Sequence, residues 1–305
     1  MRPIFDLRVV VLLMLAACGG GAAVPAASRA VMPDTVLLAP AESTLKQDPL
    51  SRSIRRGLAL ATDTRDSLPA NVGNDLRCVS CHLDGGRRAF AMPWIGVYGR
   101  FPQYRSRSGQ VARLEDRIND CFRRSLNGRS ISTEGDDMRD LVAYISWLSR
   151  GSVSGRRGWG NGIDSLAPLV PDTARGQQGF LQFCARCHGP DGQGMLKSGI
   201  LNAGPPLWGP RSFNIGSGMA RVRVAAAFIH RHMPFDVPGT MTPQAAFDIA
   251  GFVGARPRPD YPGKERDWPN GDAPVDAAYP TTGRVTASTP APPVAPPKAP
   301  PTPRR

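Results

Sequence analysis

The chain has 305 residues, a formal net charge of +13, six cysteines and four histidines. That length allows two small domains, and a basic excess of this size suits an anionic substrate, an acidic redox partner or an anionic membrane surface. Because the chain opens with an export signal, nucleic acid is excluded as a partner.

Residues 1–18 begin with Arg2 and Arg8, continue through the apolar run Val9–Ala17 and end in Leu15-Ala16-Ala17-Cys18. The run is too short to span a membrane and reads as a signal peptide. Its ending has the form of a bacterial lipobox, which predicts a lipid anchor at Cys18 on the periplasmic side of a bacterial membrane. Cleavage just beyond would instead leave a soluble periplasmic protein. Residues 19–47, rich in Gly, Ala and Pro, are expected to be a flexible tether.

A helix is predicted from Pro49 through Ile54, Leu58 and Ala61, apolar at helical spacing. It leads into Cys78-Val79-Ser80-Cys81-His82. Gly85–Gly109 is expected to be an irregular loop carrying Met92, Pro93 and Trp94. A helix centred on Cys121 is expected to end at Gly128 as its C′ residue. A further helix over Asp136–Leu148 places Met138, Leu141, Val142, Ile145 and Leu148 on one face. These elements make one domain, 48–150. Residues 151–165, beginning GSVSGRRGWGNG, form a Gly-rich linker. A second domain, 166–256, repeats the plan. Gly176–Phe183 runs helically into Cys184-Ala185-Arg186-Cys187-His188, a Gly/Pro loop follows, then helices Ala220–His232 and Pro243–Val253. Residues 257–305 are Pro-rich and expected to be a disordered tail.

C-x-x-C-H is the attachment signature of c-type haem: two thiols join the vinyl groups and the adjacent histidine binds iron. A redox dithiol or a zinc site is the competing reading, but neither motif has further Cys or His partners nearby. Two such motifs predict an all-α protein of two cytochrome c-type helical haem domains with two covalently bound haem c groups. Cys78, Cys81 and His82 would hold the first, and Cys184, Cys187 and His188 the second.

The second iron ligand of a small cytochrome c comes from well downstream of the histidine. In the second domain Met233, followed by Pro234, is in place, with Met219 and Met241 as rivals. His232 could also bind, or could be solvated or paired with a haem propionate. In the first domain Cys121 stands at the corresponding remove, with Met92 and Met138 as rivals. Cys121 is either this ligand or a buried core cysteine, since a lone thiol in an oxidising compartment must be hidden or used. On its helix Arg117 and Ser125 lie four residues to either side and share its face. Around it Arg100, Arg105, Arg107, Arg113, Arg117, Arg123, Arg124 and Arg129 stand against Glu115, Asp116 and Asp120. Some of these arginines are a solvated face or partners of haem propionates; guanidinium forks also suit small oxyanions.

The segments FPQYRSRSGQ and RINDCFRRSLNG in the first domain, and CARCHGPDGQG, PPLWGPRSFNIGSGM and AAFIHRHMP in the second, resemble the thiosulfate dehydrogenase family of di-haem cytochromes c. The resemblance implies His/Cys ligation of the first haem through His82 and Cys121, and His/Met ligation of the second through His188 and Met233. It also implies oxidation of two thiosulfates to tetrathionate at the first haem. Its substrate-site positions fall on Arg107, Arg117, Cys121 and Ser125. Electrons would leave through the second haem to a soluble carrier protein such as a cytochrome c. One departure is His232, where family members can carry a lysine as an alternative ligand. A membrane-tethered di-haem electron carrier without catalysis, its arginines docking an acidic partner, is the other reading of the same residues.

Overall fold

The computed structural model describes residues 38–195 and 204–281. The signal peptide, its lipobox cysteine and most of the expected tether lie outside the described residues. Among the described residues no helix is long and apolar enough to cross a membrane.

Helix α1, Pro49–Thr62, starts where Asp48 accepts the Ser51 amide, with Pro49 in the first turn. There proline's missing N–H costs nothing and its fixed φ suits the helix. It buries Ile54, Leu60 and Ala61. A two-stranded hairpin follows the first C-x-x-C-H, strand β1 (Gln103–Arg105) pairing antiparallel with β2 (Gln110–Ala112). The sequence reading had no strand here, because three-residue strands are too short to show alternation. Helix α2, Leu114–Arg124, carries Cys121, and Asp116 in its first turn accepts the Arg113 amide. It stops short of Gly128. The left-handed residue is Asn127, at φ 46°. Gly128 is required for a different reason, since a Cβ there would lie 1.9 Å from the Asn71 carbonyl oxygen. Helix α3, Asp136–Leu148, has the bounds expected and buries Met138, Leu141, Ile145 and Leu148.

The second domain repeats the crossing. Helix α4, Thr173–Gly179, is capped by Asp172, which accepts two amides. It passes through a wide π turn, Phe180–Cys184, into the single turn Ala185–His188. Helix α5 is Val222–His232, and α6, Pro243–Gly254, is capped by Thr242 with Pro243 in its first turn. In the first domain α1 crosses α3 at Gly57, where a Cβ would be 2.0 Å from Asp140 O and 2.8 Å from Tyr144 Cβ. In the second, α4 crosses α6 at Gly176, where the distances are 2.0 Å to Asp248 O and 2.9 Å to Phe252 Cβ. The internal repeat is thus built on the same glycine, aspartate and aromatic.

Three expectations need correction. The linker 151–165 does not float free. Gly160 and Gly162 accept the Phe90 and Met92 amides, and Asn161 donates to Ile95 O. The end of the tether, from residue 38, also packs: Leu45 joins the cluster of Ile54, Tyr144 and Trp147, and Arg87 pairs with Glu42. The largest correction concerns the tail. Residues 257–281 fold back over the molecule and bury Asp267, Trp268 and Tyr279. The aromatic pair and a buried ion pair to α2 outweigh the proline content of this strap. Residues 282–305 lie outside the described residues. The second domain also sends Phe213 and Ala220 into the first domain's core, against Leu60, Leu76, Phe122 and Leu126.

Candidate active site

Cys78, Cys81, His82 and Cys121 line one cavity, together with Met92, Trp94, Arg117, Ser125 and the apolar Leu114, Ile118, Phe122 and Ile145. Its volume is about 250 Å³, just under the roughly 300–1000 Å³ of an ordinary small-ligand pocket, and it opens to solvent. Thr64, fully buried, donates to Ala61 O at 2.9 Å and accepts the Cys78 amide at 3.1 Å, with the Cys78 sulfur 3.3 Å from its hydroxyl. Burial pushes the Cys78 thiol up to about 11 and the Cys81 thiol up to about 12. The His82 ring is neutral, burial holding it down at about 4. Its Nδ1 donates to Met92 O at 2.7 Å, and the ring lies 4.8 Å from Trp94. That bond fixes the tautomer and leaves Nε2 as the free lone pair, the arrangement seen around metal-bound histidine.

The rival ligands of the first domain are placed differently. Met92 also lines the cavity, its carbonyl accepting from His82 Nδ1, whereas Met138 is 1 % exposed in the core and does not line it. Cys121 is only half-buried and faces the cavity. The donor set therefore fits a covalently attached haem between His82 and Cys121.

On α2 the Arg117 Nη1 donates to Cys121 Sγ at 2.9 Å. The sulfur in turn, ahead of burial, raises the Arg117 guanidinium above its ordinary range. Ser125 Oγ lies 3.1 Å from Ser217 Oγ of the second domain. Arg105 from β1, with Arg100 and Arg157, completes a cationic wall. Among the described residues none of these three makes an ion pair with a carboxylate. Burial lowers both Arg100 and Arg105, so a bound anion is what would relieve them. Arg107 is placed differently from expectation. It does not line the cavity; its Nη1 donates to Gly216 O and its guanidinium lies 4.5 Å over Trp268. The sequence reading missed Arg105 and Ser217, the first because every arginine in the run looked alike and the second because it lies in the other domain.

In the second domain His188 Nδ1 donates to Pro205 O at 2.7 Å, and the ring is pressed on Gly204, where a Cβ would meet Nδ1 at 2.5 Å. The proximal geometry of the first domain is thereby repeated, and the residues fit a second haem. Met233 caps α5 and packs with Phe228, Leu83 and Ala91; Met241 packs with Phe180 and Trp208. His232 is not solvated. It is 3 % exposed, 5.1 Å from Phe228, and its Nε2 has no partner among the described residues.

Comparison with known proteins agrees with this two-domain arrangement. The model for the SoxA/TsdA cytochrome c domain matches residues 70–153, and that for subunit III of cbb3-type cytochrome c oxidase matches residues 171–253. The thiosulfate dehydrogenase of Psychrobacter arcticus is 42% identical over 238 residues, 78% of this chain and 73% of that one. The thiosulfate dehydrogenase of Allochromatium vinosum is 44% identical over 232 residues, 74% of this chain and 86% of that one. The chain belongs to the thiosulfate dehydrogenase family. A solved structure, thiosulfate dehydrogenase (TsdBA) from Marichromatium purpuratum as isolated, superposes with a TM-score of 0.70 at 38% identity. The match covers 74% of this chain and half of that longer one, 50%. As a member of the thiosulfate dehydrogenase family the protein is a haem-binding cytochrome c enzyme of two domains, not a passive carrier.

Proposed function

We infer that the protein oxidises thiosulfate at its first domain, joining two molecules into tetrathionate, and passes the electrons through the second domain to a soluble carrier such as a cytochrome c. Two haem c groups would be held by Cys78, Cys81, His82 and Cys121 in the first domain and by Cys184, Cys187, His188 and Met233 in the second. The observation that carries this reading is the Arg117 guanidinium 2.9 Å from Cys121 Sγ in the wall of the cavity that also holds the C-x-x-C-H motif. The family membership supports it.

When bound, the haem accepts single electrons. The chain's residues handle the anions. Each thiosulfate is a dianion, so bringing two together is opposed by their charge. Arg117 and Arg105, with the Ser125 hydroxyl, offset that repulsion through charge-assisted hydrogen bonds and hold the terminal sulfurs toward Cys121. One sulfur–sulfur bond forms, each thiosulfate gives up one electron, and no proton moves. No general base is required, and among the described residues no carboxylate lines the cavity. A lipid anchor at Cys18 would keep the enzyme at the periplasmic face of the membrane.

Cys121→Met tests this reading. Thiosulfate-dependent reduction of the purified holoprotein, with tetrathionate measured as product, should be abolished at unchanged haem content. Retained turnover would remove the sulfur from the mechanism.

A further inference from the structure

Arg107, which the family resemblance placed among the substrate residues, is held by residues from outside its own domain. Its Nη1 donates to Gly216 O, and its backbone oxygen accepts the Trp268 amide at 2.7 Å. Its guanidinium carbon lies over the Trp268 ring, 4.5 Å from the centroid. Its Nε is 4.0 Å from Asp267 Oδ2. Asp267 is itself 4 % exposed and accepts both arms of Arg124, at 2.7 Å and 2.7 Å, as well as the Tyr279 hydroxyl. One buried carboxylate from the strap therefore faces two cations, one on α2 and one beyond β1. The strap also closes on the hairpin that carries Arg107. Asn270 donates to the Tyr104 hydroxyl at 2.8 Å, and a Cβ on Gly109 would meet Pro269 at 2.6 Å.

These contacts immobilise Arg107 without consuming it. A guanidinium has five N–H donors, and among the described residues only Nη1 makes a hydrogen bond. The charges of Arg107, Arg117 and Arg124 act on one another, so the three form one cationic group around the Cys121 helix. Asp267 neutralises Arg124 bidentately and leaves Arg107 at the longer distance. A carboxylate recruited only to cancel charge would gain more by pairing closely with both.

We propose that Asp267 and Trp268 are positioning residues for Arg107, holding it against Gly216, beside the Ser217–Ser125 contact at the cavity edge, so that its free donors and charge act on thiosulfate alongside Arg117. This rests on the function proposed above. The substrate site of the first domain is then finished by a segment that follows the second.

The test uses the full holoprotein with haem content checked. Trp268→Leu removes the surface under Arg107 and leaves the Asp267–Arg124 pair intact. Asp267→Asn removes the charge. Each should raise the KM for thiosulfate about tenfold, the scale of one charge-assisted hydrogen bond, while kcat changes less than about threefold. Arg107→Ala should raise KM by at least as much, and adding Trp268→Leu to it should add nothing, because the tryptophan acts through Arg107. A strap with only a structural role would lower the melting temperature and leave KM in place. If Asp267→Asn fails to fold, Trp268→Leu decides alone. An unchanged KM in Trp268→Leu beside a raised KM in Arg107→Ala overturns the positioning role and leaves the function standing. An unchanged KM in Arg107→Ala overturns the arginine's substrate role and the strap's with it. A lowered KM in Asp267→Asn overturns the proposal too, since it would mean the carboxylate merely screens the anion.

Discussion

Replacing Arg117 by methionine isolates the contact on which the site turns. Methionine keeps the length and helix propensity of the position, so α2 should survive. Two interactions disappear. The first is the hydrogen bond from Nη1 to Cys121 Sγ at 2.9 Å. The second is the cation offered to thiosulfate from the cavity wall. A hydrogen bond to a charged partner contributes about 1.5–3 kcal/mol. Counting only the substrate contact, at about 1.4 kcal/mol per decade, kcat/KM for thiosulfate should fall roughly 10- to 100-fold. Arg117 makes no ion pair with a carboxylate among the described residues, so the melting temperature should move little. Lysine at the same place restores the charge as a point rather than a fork and should recover part of the loss. The assay is thiosulfate-dependent reduction of an artificial acceptor by holoprotein of equal haem content. A methionine variant within about threefold of the parent in kcat/KM would refute the assignment of Arg117 to the substrate.

The helix crossings should be intolerant of a single methyl group. Gly57→Ala would put a Cβ 2.0 Å from Asp140 O, where contact begins near 3.4 Å, so α1 and α3 must part by more than an ångström. Overpacking of this kind costs about 1–3 kcal/mol, a fall of roughly 2–4 °C in melting temperature for each kcal/mol in a folded unit of this size. Gly176→Ala should behave alike in the second domain, whereas Gly218→Ala, with nothing within 4 Å of its Cβ, should melt within about 0.5 kcal/mol of the parent. Acid sensitivity should track Asp248. Burial pushes this carboxyl up, but Arg175, the Asp172 amide and Gln244 together bring it below its usual value. A carboxyl lowered in the folded state stabilises the protein above its unfolded pKa of about 3.9 and loses that contribution as the pH falls through the folded value. Melting curves taken from about pH 5 to pH 3 should therefore be shallower for Arg175→Met than for the parent, and parallel curves would contradict the assignment.

What the sequence disclosed depended on how local the physics was. Asp136–Leu148 was legible to the residue because its apolar side chains recur at helical spacing and a glycine precedes it. The cysteine motifs were legible because the C-x-x-C-H spacing is itself the signature. Cys121 and Arg117 could be paired because four residues on a helix are one turn. The strap was missed because its partners are remote: Asp267 meets Arg124 across a separation of 143 residues, and nothing near Trp268 announces what it will pack on. Spacing alone does not separate Arg105 from Arg107; the resemblance points to Arg107, and the fold sets Arg105 on the cavity wall and Arg107 against tryptophan. The sequence leaves His232 open as a ligand, a solvated side chain or a propionate partner, because nothing near it says what covers it. Its burial comes from the close seating of Phe228 against the first domain.

The route of the chain through the strap sets an order of completion. Both C-x-x-C-H motifs precede residue 257, so a chain stopping after α6 would carry every residue proposed to hold haem. It would lack the Trp268 ring and the Asp267 carboxylate that pack on Arg107. On the proposed function, the last segment made is the one that finishes the anion site.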